Sequence, residues 1–265
     1  MAIKQALKLY TTLILLLIST LTTAQTRVVH VLVALCDNKN QGIVPVPKNI
    51  GNGQDPANNL YWGCGFGVKT FFKKQHDWSL IKKIDNPTSQ IYERLVFKHK
   101  DSLIYLVADA YDGARIKQTV TDFLDYAAGL NKLSIKIDTL TIQVGGSANL
   151  IGYVGHDGLM DFTLHKYPSQ ADHKRREVII LACASRNYFY DHIKKTGAYP
   201  LLWTTNLMCP EAYTLDTAID SWILHDSPAT TREKASQTYN RYQKCGIHGA
   251  RNLLVAGFEI PKKAK

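Results

Sequence analysis

Residues 149–162 read NLIGYVGHDGLMDF and residues 177–189 read EVIILACASRNYF. Each opens on a short apolar run with β-branched side chains, the first stopping at Gly155-His156 and the second at Ala182-Cys183. Short apolar runs bounded by glycine or charge are how strands buried on both faces look. The intervening stretch is long enough for the crossover that a parallel pair requires. Residues 149–155 and 178–182 are therefore expected to form adjacent parallel strands. In an open parallel sheet, functional groups gather beyond the carboxyl ends of the strands. Strands about 4.8 Å apart would hang an imidazole and a thiol over one edge.

That pairing has chemical content. A free thiol, with a pKa near ~8.5, is mostly protonated at neutral pH, and a nearby imidazole raises its thiolate fraction. The glycines beside His156 let a substrate backbone come close and leave amides free to face an oxyanion. Each residue also has a plainer reading: a cysteine after VIILA suits a core, and a histidine flanked by glycines and Asp157 suits a loop.

Working outward, the chain alternates strands and helices without repeats or low-complexity linkers. RVVHVLVALCDN reads as a covered parallel strand, followed by the glycine- and proline-rich loop NQGIVPVPKNIGNGQDPANN. A helix is expected from about Gly65, and two strands joined by a polar turn in IYERLVFKHKDSLIYLVADAYDG. In ARIKQTVTDFLDYAAG, Ile116, Val120, Phe123, Leu124 and Ala127 fall on one helical face, with Gly129 as the stop. PLLWTTN reads as a further strand and TLDTAIDSWIL as another amphipathic helix. Strands separated by helices imply an α/β fold with a mostly parallel sheet.

With LIGYVGH and VIILAC in this order, followed by PLLWTTN and DSWIL, the chain resembles the caspase, legumain and gingipain superfamily of cysteine peptidases. The likeness covers roughly residues 27–225 and is dense over 149–206. It implies a three-layer α/β sandwich of caspase or haemoglobinase type over residues 25–265, with Cys183 as nucleophile and His156 as its acid–base partner. It also implies an oxyanion hole built from Cys183 and the residue after the histidine. The family writes His-Gly where this chain has His156-Asp157-Gly158, which leaves Asp157, Gly158 or neither as that second donor. By the same resemblance, the first specificity pocket is lined by Asp37, Asn38, Trp203, Thr204 and Thr205. Asp37 could pair with a basic side chain, as in relatives that cut after arginine or lysine, or simply cap a turn.

Composition bounds the alternatives. The 265 residues are 45% hydrophobic and 20% charged, ordinary for a globular chain. Lys4 and Lys8, the apolar LILLLI and the small-residue STLTTAQT form, in that order, a secretory signal peptide over 1–24, with cleavage after Ala24. Its apolar part is too short to span a bilayer, so the mature chain is expected to be exported, periplasmic or secreted, without a membrane span. Losing the leader removes two lysines and no acids, so the net charge falls from +10 to +8. The basic runs HKRR and PKKAK read as solvated loops, and no zinc finger, stacking platform or basic helix points to nucleic acid.

Five cysteines in an exported chain leave at least one unpaired, and up to four could form disulfides. Asp157, Asp161, His165 and His173 match no helical zinc spacing, so no metal is expected. No dinucleotide fingerprint, phosphate loop or serine-hydrolase elbow is present, and no cofactor is implied. Three readings stand: an exported cysteine endopeptidase acting on a peptide or protein substrate, a catalytically inactive caspase-like binding module, and a different cysteine hydrolase using Cys64. The last draws on Cys64 in YWGCGFG lying at an expected helix start, where a thiol pKa falls.

Overall fold

Strand β1, Arg27–Ala34, is buried at seven of its eight positions. Its side chains divide by period two: Val29, Val31 and Val33 enter one core, and Val28, Leu32 and Ala34 another. A strand hidden on both faces belongs inside a sheet. It runs parallel to β4 (Ile104–Tyr111) on one side and to β7 (Leu150–Val154) on the other. The computed structural model describes residues 26–259. The leader expected over 1–24 and the PKKAK run lie outside the described residues.

The sheet has eight strands in the order β10-β9-β8-β7-β1-β4-β3-β2. Beyond β7 lie β8 (Glu177–Leu181) and β9 (Tyr199–Thr204), both parallel to their neighbours, and then the short antiparallel β10 (Leu254–Val255). At the other edge β3 (Ile91–His99) and β2 (Trp78–Thr88) are antiparallel. The fold is thus α/β with a mixed, mostly parallel sheet, and β7 and β8 are neighbours in register from Leu150↔Glu177 to Val154↔Leu181.

Helices cover both faces, an arrangement compatible with a three-layer sandwich. On one face α2 (Ile116–Ala128) brings Val120, Phe123 and Leu124, and α3 (Ser185–Thr196) brings Phe189 and Ile193. Fully burying each of these large apolar side chains is worth about 1.5–3 kcal/mol. α2 ends where Gly129 takes φ +86 and its N–H returns to the carbonyls of Asp125 and Tyr126. The opposite face is covered by α1 (Val68–Phe72), α4 (Ala212–Ile223), α5 (Pro228–Gln243) and α6 (Ile247–Leu253), which meet Val29, Val31 and Val33. Among the described residues no helix is long and apolar enough to cross a membrane.

Several elements depart from the sequence reading. The helix expected from Gly65 covers only Val68–Phe72, because Trp62, Gly63 and Cys64 fold back in turns onto the Asn59 carbonyl. Residues 131–145 form an unanticipated hairpin, β5 (Lys132–Ile137) and β6 (Leu140–Gly145). The HKRR run is not wholly solvated: Arg176 is buried, its guanidinium bound twice to Asp172 at 2.8 and 2.7 Å and once to the Gly146 carbonyl at 2.9 Å. That fork holds the Asp172 carboxyl well below the usual carboxylate range. All five cysteines are free thiols.

Candidate active site

The site begins where β7 and β8 leave the sheet. Val154 and Leu181 are paired, so Gly155-His156 and Ala182-Cys183 emerge together at the carboxyl edge. Gly155 makes the exit possible. It takes φ +148, and a Cβ there would come within 2.7 Å of the Ala34 carbonyl oxygen. Its N–H donates to the Leu181 carbonyl at 3.2 Å, tying the two strand ends together.

His156 is 6% exposed. Its carbonyl accepts the Tyr153 hydroxyl at 2.7 Å, and its Nε2 lies 2.7 Å from Asp161 Oδ2. With Nε2–H donating to the carboxylate, Nδ1 is the nitrogen left to take a proton. The same Asp161 oxygen accepts the Gly42 N–H at 2.9 Å, so one carboxylate holds both the imidazole and the start of the 42–46 loop.

Cys183 is held by a latch on both sides. The Thr204 hydroxyl donates to the Ala182 carbonyl and accepts the Ser185 N–H at 3.1 Å, while Ser185 Oγ donates to the Ile180 carbonyl at 3.0 Å. Between them Ala184 takes the left-handed φ of 49, its N–H bound to the Asn206 carbonyl at 2.9 Å. The thiol therefore precedes the first turn of α3, whose dipole favours negative charge. Burial nevertheless pushes the Cys183 thiol up. The Met208 N–H, 3.4 Å from Sγ, works the other way, and the nearby Asp157 charge adds to the rise. The resting thiol is protonated at neutral pH.

Gly155, His156 and Cys183 share a pocket of about 380 Å³. Residues 42–46, Leu60, Tyr61, Met160 and residues 207–211 complete its lining. The 42–46 loop is shaped by Asn38, whose amide donates to the Val46 carbonyl at 2.7 Å and accepts the Val46 N–H at 2.9 Å.

The other expected site residues fall elsewhere. Asp157 is fully buried, its Oδ1 accepting the Leu159 N–H at 3.0 Å as the cap of a short 3₁₀ turn, Gly158–Met160, while Oδ2 has no partner. Burial pushes its carboxyl up to about 7, against the pull of the Leu159 amide. Gly158 packs against the Phe162 ring, and neither residue lines the pocket.

None of the five residues expected to form the specificity pocket lines this one. Asp37 is 1% exposed and closes its own loop, accepting the Lys39 and Asn40 amides and the Asn40 and Gln54 side chains. Burial raises its carboxyl, but those hydrogen bonds outweigh it and hold Asp37 below the ordinary value. Asn38 acts at one remove, through Val46. Trp203 is buried with Nε1 on the Gly257 carbonyl, Thr204 belongs to the latch, and Thr205 donates to the Asn252 carbonyl at 2.7 Å beside a different cavity.

Cys64 lies outside the pocket, its thiol donating to the Asn58 carbonyl at 3.1 Å. The helix after it starts four residues later, so no helix terminus lowers its pKa; burial raises it, with Glu211 adding to the rise. Among the described residues no group of three His, Cys, Asp or Glu side chains is disposed to hold a metal. The sequence reading missed the role of Asp161, weighed only as a metal candidate, together with Met208 and the 42–46 loop. A carboxylate five residues after the histidine was the available signal for Asp161; the other two reach Cys183 only through long-range folding. No protein-family model, curated protein or solved structure matches the chain.

Proposed function

We propose that the protein is an exported cysteine endopeptidase of caspase-like fold, using a Cys183/His156 dyad. The observation that carries this reading is that the two side chains follow the paired ends of neighbouring parallel strands and line one pocket. Because the thiol rests protonated, its proton passes to His156 Nδ1 as Cys183 Sγ bonds to the scissile carbonyl carbon. The tetrahedral oxyanion is met by backbone amide at Cys183, the one expected donor residue that lines the pocket. The C–N bond then breaks, and the imidazolium gives its proton to the leaving amine. Water, deprotonated by the same imidazole, releases the acyl group and restores the thiol. Asp161 keeps the imidazole in the tautomer this requires. The chemistry uses no cofactor, and export rests on the leader read in residues 1–24.

The upward-shifted thiol favours a second reading, a catalytically inactive caspase-like module that binds peptides without cutting them. A thiol-reactive peptidyl probe, mapped by mass spectrometry, separates the two. The peptidase reading expects labelling at Cys183 that vanishes in Cys183→Ala and is strongly slowed in His156→Ala. Alkylation by iodoacetamide but by no peptidyl probe selects the binding module, and peptidyl labelling at Cys64 selects the other hydrolase.

A further inference from the structure

The walls of the pocket around Cys183 are mostly apolar, with Ile43, Val44, Pro45, Leu60, Met160 and Leu207 among its lining. Val44 is 84% exposed, Leu207 67% and Met160 41%, all at its mouth. Large apolar side chains left in water around a concave site rimmed by polar groups mark a surface that a ligand covers. The loop carrying Val44 is fixed at both ends, by Asn38 on Val46 and by Asp161 on Gly42. The apolar wall is thus held in place relative to His156, which Asp161 also binds.

Charge is nearly absent from the lining. No lysine or arginine contributes, and the carboxylate expected to receive a basic side chain, Asp37, closes its own loop elsewhere. Glu211 is the one carboxylate in the wall, and its Oε2 is taken by the Tyr213 hydroxyl at 2.9 Å and the Gln243 amide at 3.2 Å. A charged substrate side chain would be desolvated there with little to pair it.

We propose that the substrate is a peptide whose residue on the acyl side of the scissile bond bears an apolar, uncharged side chain. It is received by the apolar lining that Val44, Pro45, Met160 and Leu207 supply. This rests on the peptidase reading above and assigns its substrate class. Burial also pushes the Glu211 carboxyl up, which marks its surroundings as a poor place for charge.

The test uses protein made from the full-length chain and a series of thiol-reactive peptidyl probes differing only at that residue: Leu, Phe, Asn, Asp and Arg. The Leu or Phe probe is expected to label Cys183 at least ~10-fold faster than the Arg and Asp probes, the scale on which pockets discriminate side chains. A faster Arg, Asp or Asn probe overturns the inference while leaving the peptidase reading intact. Glu211→Gln should keep the order; a basic preference that disappears in this variant shows that Glu211 sets the specificity and the apolar wall does not. Val44→Asp, at an exposed position, should slow the Leu probe and speed the Arg probe. If no peptidyl probe reacts, the peptidase reading fails, and fluorescence anisotropy of matching peptides on Cys183→Ala still reads the pocket. Leucine peptides binding roughly 10-fold tighter than arginine peptides uphold the apolar preference, and equal or reversed affinities overturn it.

Discussion

His156 has two ring nitrogens, and Asp161 takes one of them. Asp161→Ala removes the one oxygen that accepts both Nε2–H and the Gly42 N–H, leaving the imidazole free to take the tautomer whose Nδ1 carries the proton and cannot accept that of the thiol. We expect kcat to fall roughly 10²- to 10⁴-fold with KM little changed, as for other misassigned triad tautomers; a KM effect alone would mean that Asp161 only braces the loop. Asp157→Asn should leave kcat within about threefold, a small change beside general-base losses, because its carboxylate caps the Leu159 amide and does not touch the imidazole. Steady-state kinetics of the two variants decide the assignment. His156 and Cys183 were legible as residues because each ends a run of obvious character. Asp161 was not, since what matters is how the 3₁₀ turn Gly158–Met160 swings it back to the ring, and turn geometry is poorly encoded in composition.

At the scale of elements, the strand pair β7 and β8 was readable because both are buried on both faces and carry unbroken apolar runs. The β5–β6 hairpin was not: KLSIKI and LTIQVG leave most of their side chains exposed and meet the main sheet chiefly where β6 approaches β1, and a half-polar strand resembles a loop. Helix α5 escaped for a related reason. Its buried positions are Thr231, Ala235, Ser236 and Tyr239, which leave little apolar stripe to detect. The latch between β8, β9 and α3 gives a prediction of its own. Thr204→Val removes the hydroxyl that joins Ala182 to Ser185 and leaves buried backbone groups unpaired. It should cost about 1–3 kcal/mol in chemical denaturation and slow peptidyl labelling of Cys183 without altering which peptide is preferred. A changed preference would return Thr204 to the substrate-contacting role first expected of it. Phe123→Ala, in the heart of α2, should cost about 3–5 kcal/mol and leave the labelling order untouched.

For the molecule as a whole, the buried and half-buried carboxyls pull stability in opposite directions along the pH axis. Arg94 binds Asp109 through two 2.6 Å hydrogen bonds, and His30 Nε2 lies 3.0 Å from the same carboxylate at the centre of the sheet. Burial raises the Asp109 carboxyl, but Arg94 and His30 outweigh it and hold it below its ordinary value. A depressed carboxyl binds its proton more tightly in the unfolded chain, so its stabilisation is present above about pH 4 and is lost as the pH falls. Asp37 and Asp172 act in the same sense. Asp157 and Asp216, pushed up by burial to about 7 and about 8, do the reverse. Their folded forms hold protons that the unfolded chain releases near pH 4, so their contribution is full below that point and declines as the pH rises to 7 and 8. His192, lowered by burial, opposes them with one smaller effect, favouring the fold as the pH rises through the ordinary histidine range near ~6.5. Asp122, Asp125, Glu211 and Asp220 are raised as well and act in the same sense as Asp157 and Asp216, so against one histidine the balance is a net loss of stability between about pH 5 and 8. Denaturation midpoints measured from pH 3 to 9 should therefore peak near pH 5, falling steeply on the acid side and more gently towards neutrality. The double variant Asp157→Asn/Asp216→Asn fixes both groups in their neutral form and should flatten the neutral limb while leaving the acid limb in place. A wild-type midpoint that climbs steadily from pH 5 to 7.5, or a double variant with an unchanged neutral limb, would show that these two carboxyls do not set the profile.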